Sequence, residues 1–205
     1  MKQLLTVASL VFSVYANAQQ YPNSDFKKWN EYGCPESWNC NNDADCKGKV
    51  SQADKIKGGV KLTVMHCFDP KKDDRSNNVN ISYDDMSAKI PKGKKVKISF
   101  DYTLNPVAGD AAYIKLDADF DDLPDNISPS FIYGESDKGF LKPGSNIHVI
   151  CYLNFASNTV KDFAAPQALS ASSIRTTFGI MPADNTADVH KGTTLIIHHI
   201  KFELE

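Results

Sequence analysis

Apolar residues recur at every second position through most of this chain, and this alternation restricts the possible fold more than any other feature. It predicts extended strands with one apolar and one polar face, because successive side chains of a β-strand point to opposite sides. Six runs show the pattern, and the residues that share one face of each run are Val60, Leu62, Val64; Val96, Ile98, Phe100, Tyr102; Ile114, Leu116, Ala118, Phe120; Val149, Cys151, Leu153, Phe155; Ile174, Thr176, Phe178, Ile180; and Ile196, His198, Ile200, Phe202, opposite Leu195, Ile197, His199 and Lys201 in the last run.

Turn signals separate these runs, for example at residues 57–59, 91–93 and 143–144. No stretch longer than about ten residues combines helical periodicity with capping residues. Strands with one apolar face each are satisfied by two antiparallel sheets packed face to face. The sequence therefore predicts an all-β fold, an antiparallel β-sandwich of jelly-roll type, with residues 36–57 and 156–173 as long end loops.

The first 18 residues have the pattern of a cleavable signal peptide. Lys2 supplies a positive end, residues 4–15 are rich in apolar side chains, and Ala16 and Ala18 are the small residues before the cut. The apolar stretch is too short to span a bilayer, so we expect no transmembrane segment. We expect a secreted or periplasmic bacterial protein with one domain, residues 19–205, which is 187 of the 205 residues.

The charge balance argues against a nucleic-acid partner. The whole chain has a formal net charge of −2, and its acidic residues are spread along the sequence. A basic cluster lies beside a turn at the start of one predicted strand, without interleaved aromatic residues, and a solvated strand edge explains it better. This cluster consists of Lys92, Lys94, Lys95 and Lys97.

Five cysteines in an exported chain suggest at least one disulfide. Cys34, Cys40 and Cys46 crowd one polar loop, Cys67 closes a later strand, and Cys151 lies inside an apolar strand. We expect Cys67 or one of the loop cysteines to pair across that loop and Cys151 to stay reduced, while the connectivity remains open. The alternative is a zinc site on the three loop cysteines, although their spacing is wider than in zinc knuckles.

Several segments resemble galactose-binding-domain-like β-sandwiches, which are common among carbohydrate-binding modules of secreted bacterial proteins. The opening segments look like the aromatic start of these domains, and the glycine-led segments look like their inner and closing strands. The resemblance covers the whole of residues 19–205 and implies a carbohydrate ligand. The matching segments are residues 21–29 (YPNSDFKKW), 34–38 (CPESW), 58–64 (GGVKLTV), 90–102 (IPKGKKVKISFDY) and 192–202 (GTTLIIHHIKF).

The same resemblance implies a structural calcium ion between the opening strand and an acidic pair in the last strand. His198 and His199 stand at the position of that pair, and Lys28 replaces the usual carboxylate region. Imidazoles beside a lysine are poor calcium ligands, although Asp25 and Asn23 still offer oxygen atoms. We therefore expect no bound cofactor, with structural calcium as the alternative.

Aromatic and hydrogen-bonding residues at two strands and one loop are candidates for holding a glycan. Trp29 is expected to pack in the core together with Phe26, whereas Trp38 lies in a polar loop. If the two candidate strands share a concave sheet, their polar faces combine into one binding surface. An ordinary solvated face is the alternative. The candidate ligand-binding residues are Trp38, Tyr113, Asp117, Asp119, Tyr152 and Asn154.

Two further metal patterns are weak. Residues 117–122 begin like an EF-hand loop, but Asp122 replaces the glycine of that loop and Ser128 replaces its last glutamate. A calcium site from Asp121, Asp122 and Asp125 remains an alternative. Neighbouring residues of a strand point to opposite faces, so we do not expect adjacent histidines 198 and 199 to hold one metal ion.

An enzyme is not the favoured interpretation. Residues 131–137 faintly resemble the nucleophile block of lipase-like esterases, with Ser136 as nucleophile and Asp188 and His190 as partners. That family needs helices and an early serine, and no carboxylate pair is marked for a glycosidase.

We expect an exported ligand-binding module without chemical turnover, with carbohydrate as the favoured ligand. The alternative is a structural or adhesive surface component that binds a cell-surface protein through the same sheet.

Overall fold

Ten β-strands account for the regular structure of the described part of the chain. The computed structural model describes residues 22–40, 48–53, 57–65, 79–86, 95–107, 109–120, 130–133, 140–154, 171–183 and 189–204. None of these ranges contains a helix, so none offers a helical membrane span. The strands are β1 (Asn39–Cys40), β2 (Gly48–Gln52), β3 (Gly59–Val64), β4 (Val79–Met86), β5 (Lys95–Asn105), β6 (Asp110–Phe120), β7 (Ser130–Tyr133), β8 (Gly144–Asn154), β9 (Ala171–Pro182) and β10 (Thr194–Leu204).

The strands form two five-stranded antiparallel sheets. The first sheet has the order β1-β4-β9-β6-β7, and the second sheet has the order β2-β3-β10-β5-β8. From β4 onwards the chain crosses repeatedly from one sheet to the other. The prediction of an all-β antiparallel sandwich is confirmed.

Alternating side chains meet between the sheets and form the core. Phe100 of β5 and Phe178 of β9 are fully buried, and their rings meet edge to face with centroids 5.1 Å apart. Since β5 and β9 belong to different sheets, this contact joins the two layers directly. Burial of an aromatic side chain of this size stabilises a fold by about 2–3 kcal/mol.

Two predicted loops contain regular structure instead. The segment 36–57 includes β1 and β2, and the segment 156–173 runs into β9 at Ala171. Strand β4 was also missing from the predicted set. β1 pairs with β4 and β4 pairs with β9, which are distant in sequence, whereas β2 pairs with the next strand, β3; in each case ladder hydrogen bonds stabilise a segment whose own alternation is short.

The opening segment, residues 22–38, closes one side of the sandwich. Phe26 is fully buried, and its ring centroid lies 5.2 Å from that of Trp38. The backbone of this segment passes close to the turn before β3, where Gly58 has a φ of 77°. A Cβ atom at Gly58 would lie 2.5 Å from the carbonyl oxygen of Asp25, so glycine is needed for this approach.

The disulfide joins two of the loop cysteines, Cys34 and Cys40. Cys151 is reduced and buried, so the expected loop pairing and the expected free thiol are both confirmed. Cys46 and Cys67 lie outside the described residues. A zinc site on all three loop cysteines is wrong, because two of the thiolates that it would need form the disulfide.

Candidate functional site

A β-bulge in β10 places two histidines on the same side of the second sheet. His198 pairs with Asp101 of β5, and Lys201 pairs with Ser99, so His199 and Ile200 together face a single β5 residue. His199 takes the left-handed backbone conformation, with a φ of 56°. An extra residue in one strand shifts the alternation by one position, so neighbouring side chains can share a face.

The burial of β10 shows this shift directly. Before the bulge, Leu195 and Ile197 are fully buried, and after it Ile200 and Phe202 are buried instead. The sequence interpretation, which put Ile196, His198, Ile200 and Phe202 on one face throughout, is therefore wrong, because the buried face changes from one set of residues to the other at the bulge. His198 belongs to the outer face of the second sheet, the face turned away from the first sheet.

The expectation that His198 and His199 point to opposite faces is also wrong. Their ring centroids are 4.5 Å apart, and their Nδ1 atoms are 3.0 Å apart. The available signal was the pair of histidines between Ile197 and Ile200, because two consecutive polar residues interrupt strict alternation. That interruption predicts a bulge as well as a change of face.

Asp101 of β5 forms hydrogen bonds with one histidine from each neighbouring strand, His148 and His199. Its Oδ1 lies 2.7 Å from Nδ1 of His148 in β8, and its Oδ2 lies 3.0 Å from Nδ1 of His199 in β10. Burial opposes ionisation of Asp101, but the hydrogen bonds to His148 and His199 outweigh it and lower the pKa of this carboxyl. The carboxylate therefore stays charged over the physiological pH range.

His198 is the buried member of this group, with 8% of its surface exposed. Burial, followed by the charge of His199, lowers the pKa of His198, while the charge of Asp101 acts in the opposite direction. Its Nε2 is buried and has no hydrogen-bond partner among the described residues. His198 is therefore kept neutral at physiological pH.

A pocket of about 370 Å³ lies beside the histidines, between the opening segment and the second sheet. Its walls combine carboxylate, imidazole, hydroxyl and ammonium groups, and the opening segment supplies Asp25, whose carboxylate forms an ion pair with Lys27 at 2.6 Å. The lining residues are Ser24, Asp25, Ser99, Asp101, His148, His199, Ile200 and Lys201.

An exposed apolar strip continues the same outer face along β8. Ile150 is 43% exposed and Tyr152 is 56% exposed. In the sheet register Tyr152 lies opposite Lys97 of β5, which in turn lies opposite Glu203 of β10. The Lys97 ammonium and the Glu203 carboxylate form an ion pair at 2.7 Å, so an aromatic ring and two charged groups lie in one row across three strands.

Trp38 does not present its ring to solvent, contrary to its nomination as a ligand-binding residue. It is 4% exposed, and it packs against Phe26 and Tyr83. Its indole Nε1 donates a hydrogen bond of 3.1 Å to the carbonyl oxygen of Pro22. The buried ring and its satisfied donor make Trp38 part of the core.

The shared face expected for the other candidates does not exist, because their strands belong to different sheets. Tyr113, Asp117 and Asp119 belong to β6 of the first sheet, whereas Tyr152 and Asn154 belong to β8 of the second. Tyr113 is only 8% exposed. The side chains of Asp117, Asp119 and Asn154 lie outside the described part of the structure.

The esterase alternative finds no support in the described residues. Ser136 and Asp188 lie outside them, as do Asp121, Asp122 and Asp125 of the alternative calcium site. His190 is bound elsewhere, since its Nδ1 lies 2.9 Å from Oδ1 of the buried Asp110.

No family model and no curated protein matches this sequence. Among solved structures, the xylan-binding domain CBM22-2 of Paenibacillus barcinonensis Xyn10C is similar at 12% identity, with 85% of this chain and 96% of that chain covered and a TM-score of 0.49. A carbohydrate-binding module specific for non-crystalline cellulose, CBM28, is similar at 9% identity, with coverages of 86% and 93% and a TM-score of 0.39. The similar structures thus include β-sandwich carbohydrate-binding modules, as the sequence resemblance indicated, but this degree of similarity says nothing about the ligand of this chain.

Proposed function

We propose that this protein is an exported, non-catalytic carbohydrate-binding domain whose ligand lies on the outer face of the second sheet. The observation that carries the proposal is the exposed ring of Tyr152 in register with the ion pair of Lys97 and Glu203. An exposed aromatic ring offers an apolar surface for the C–H side of a pyranose, and the charged groups offer hydrogen bonds to its hydroxyls.

The dimensions of this row suit a sugar chain. Neighbouring strands lie about 4.8 Å apart, so the row from β8 through β5 to β10 spans about 10 Å. Ile150 extends the apolar surface by one position along β8, opposite Ser99. A ligand that contacts both the strip and the row would cover more than one sugar ring.

The size of the apolar strip favours a glycan over a protein partner. A stable protein interface buries about 800 Å² on each side around an apolar centre. Among the described side chains of β8, the exposed apolar surface comes from Ile150 and Tyr152, with charged residues beside them. Such a narrow strip among polar groups matches an amphipathic ligand such as a saccharide.

The carboxylates of this face support binding without turnover. A glycosidase needs a carboxylic acid whose pKa is raised so that it can donate a proton at neutral pH. The hydrogen bond from Lys97 lowers the pKa of Glu203, and hydrogen bonds from two histidines lower that of Asp101. Both groups are therefore ionised acceptors that can bind sugar hydroxyls.

Export is supported by two features of the chain. The first is the signal-peptide pattern of residues 1–18, and the second is the disulfide between Cys34 and Cys40, a bond that persists in oxidising compartments.

Affinity electrophoresis tests the proposal. The purified protein is run in gels that contain xylan, hydroxyethylcellulose or agarose, and we expect at least one polysaccharide to retard it. Tyr152→Ala should weaken that retardation by about tenfold or more, which corresponds to ~1.4 kcal/mol. Tyr32→Ala is the matched control, because Tyr32 is 80% exposed but lies in a turn of the opening segment.

Two results would contradict the proposal. One is that no polysaccharide gel retards the protein and that no saccharide on a broad glycan array binds it. The other is retardation that Tyr152→Ala and Tyr32→Ala reduce equally, because binding would then not depend on the outer face of the second sheet.

A further inference from the structure

We propose that Asp101, His198 and His199 form a binding site for a divalent transition metal of the zinc class, built by the bulge in β10. This site is separate from the glycan-binding proposal, because it lies at the histidine end of the outer face and does not use Tyr152. The three side chains offer one ligand atom each, and these atoms all lie within 4.8 Å of one another.

The distances between the donor atoms suit a small ion. The Nδ1 atoms of His198 and His199 are 3.0 Å apart, and Nδ1 of His199 is 3.0 Å from Oδ2 of Asp101. In a tetrahedral zinc site with metal–ligand bonds of about 2.0–2.1 Å, two ligands lie roughly 3.3 Å apart. Both of these separations are close to zinc-ligand spacing, and the ligand atoms of His198 and Asp101 lie within 4.8 Å of each other.

Hydrogen bonding alone does not satisfy this cluster. Nδ1 of His199 can carry one proton, yet it lies within hydrogen-bond distance of both the Asp101 carboxylate and Nδ1 of His198. If that proton is donated to Asp101, then Nδ1 of His198 must be unprotonated, with its lone pair directed toward Nδ1 of His199. The His198 proton then sits on Nε2, which is buried and has no partner among the described residues.

A metal ion resolves the competition at Nδ1. It accepts lone pairs from both imidazoles and from the carboxylate at once, and it needs no proton between them. The unusual backbone of His199, with its φ of 56°, is what brings the second imidazole into the group.

His148 acts as a positioning residue for the carboxylate. It binds Oδ1 of Asp101 at 2.7 Å and leaves Oδ2 directed toward His199. Hydrogen bonds to the second oxygen of a ligating carboxylate fix its orientation. Three protein ligands leave a further coordination position, and both Asp101 and His199 line the pocket of about 370 Å³ where water or a ligand oxygen can occupy it.

The donor set does not fit the calcium ion that the family resemblance implies at the last strand. Calcium takes six to eight oxygen ligands, whereas this cluster offers two imidazole nitrogens and one carboxylate. Imidazole nitrogen suits zinc, copper, iron and nickel. The donor set at the bulge is therefore rich in nitrogen.

Isothermal titration calorimetry with ZnCl₂ tests this inference. The untagged protein is first dialysed against EDTA and then against metal-free buffer. We expect saturable binding of one Zn²⁺ per chain. In a parallel thermal unfolding measurement, Zn²⁺ should raise the Tm. His199→Ala should weaken Zn²⁺ binding by at least about tenfold and remove most of the rise in Tm. His199 is largely exposed, so this variant should fold.

Two controls separate this site from general metal binding. His190→Ala removes a half-exposed histidine that contacts Asp110 outside the cluster, and this variant should bind Zn²⁺ like the unmodified protein. CaCl₂ at the same concentration should give no saturable heat. The inference is overturned if Zn²⁺ does not bind, if His199→Ala and His190→Ala bind it equally well, or if Ca²⁺ binds with the same affinity.

Discussion

Single residues show which part of burial can be predicted from local sequence. The alternation of β6 correctly places Tyr113 on the side opposite to the buried Ile114, yet Tyr113 is 8% exposed. Its ring lies over Gly179 of the neighbouring strand β9, with which it is in register. Trp38 is similar, because its partner Tyr83 is distant in sequence. In β6 the local alternation predicts which face of the sheet Tyr113 lies on. How far its side chain is buried depends on residues that are distant in sequence.

The contact between Tyr113 and Gly179 gives a prediction at this scale. A Cβ atom at Gly179 would lie 2.5 Å from ring atoms of Tyr113, so Gly179→Ala must displace the ring. We expect a loss of about 1–3 kcal/mol in the free energy of unfolding, measured by urea denaturation. The double variant Gly179→Ala with Tyr113→Ala should show a smaller additional loss from the glycine change. Equal losses in both backgrounds would show that the ring is not the obstacle.

At the scale of strands, β10 shows where a periodic pattern fails. An uninterrupted alternation was predicted from Thr194 to Leu204, and it holds on each side of the bulge. The extra residue at His198 and His199 shifts the alternation by one position, so the residues before the bulge and those after it follow opposite inward and outward patterns. The histidine cluster could therefore not be predicted from alternation, although the consecutive polar pair was visible in the sequence.

A second connection between strands depends on Asp110 at the start of β6. Its side chain is fully buried and accepts hydrogen bonds from the backbone nitrogen of His190 at 2.9 Å and from the hydroxyl of Thr193 just before β10. This carboxylate therefore ties the turn before β6 to the turn before β10. Without the Asp110 carboxylate, the His190 N–H and the Thr193 hydroxyl would both lose this acceptor.

We expect Asp110→Ala to lower the free energy of unfolding by about 1–3 kcal/mol, because it leaves the buried Thr193 hydroxyl and the His190 N–H without this acceptor. His190→Ala keeps the backbone N–H and removes only a half-exposed ring, so its effect should be smaller. Thermal unfolding followed by circular dichroism compares the two. An Asp110→Ala protein as stable as the unmodified one would show that this connection contributes nothing.

The whole molecule depends on strand order, which alternation does not encode. The runs that became β6 and β8 each predicted a strand with a polar face, and both strands exist. Their assignment to different sheets follows from pairing, since β6 lies beside β9 and β8 lies beside β5. The layered architecture was predictable from the sequence, whereas the surface that Tyr152 shares with its neighbours was not.

Alkaline stability of the whole fold should depend on Cys151. Burial raises the pKa of the Cys151 thiol to about 12, from an ordinary value of 9.0. Between these values the unfolded chain releases a proton that the folded protein retains, so stability contributed by the protonated thiol is present below pH 9 and is lost as the pH rises. The slope approaches about 1.4 kcal/mol per pH unit.

Urea denaturation at a series of pH values tests this linkage against Cys151→Ala, which has no thiol to titrate. The variant should be less stable than the unmodified protein near neutral pH, and the difference should shrink above about pH 9. Other groups titrate in this range, but they do so in both proteins. A difference that stays constant up to about pH 10.5 would contradict the buried, protonated state of Cys151.

The glycan-binding surface can be located by amide chemical-shift changes on titration with soluble xylo-, cello- and agaro-oligosaccharides. We expect the changes to concentrate at Ile150, Tyr152 and Lys97 of the second sheet, and to disappear in Tyr152→Ala. Changes concentrated on β4, β9 and β6 of the first sheet, or none with any of these oligosaccharides, would contradict carbohydrate binding at the outer face of the second sheet.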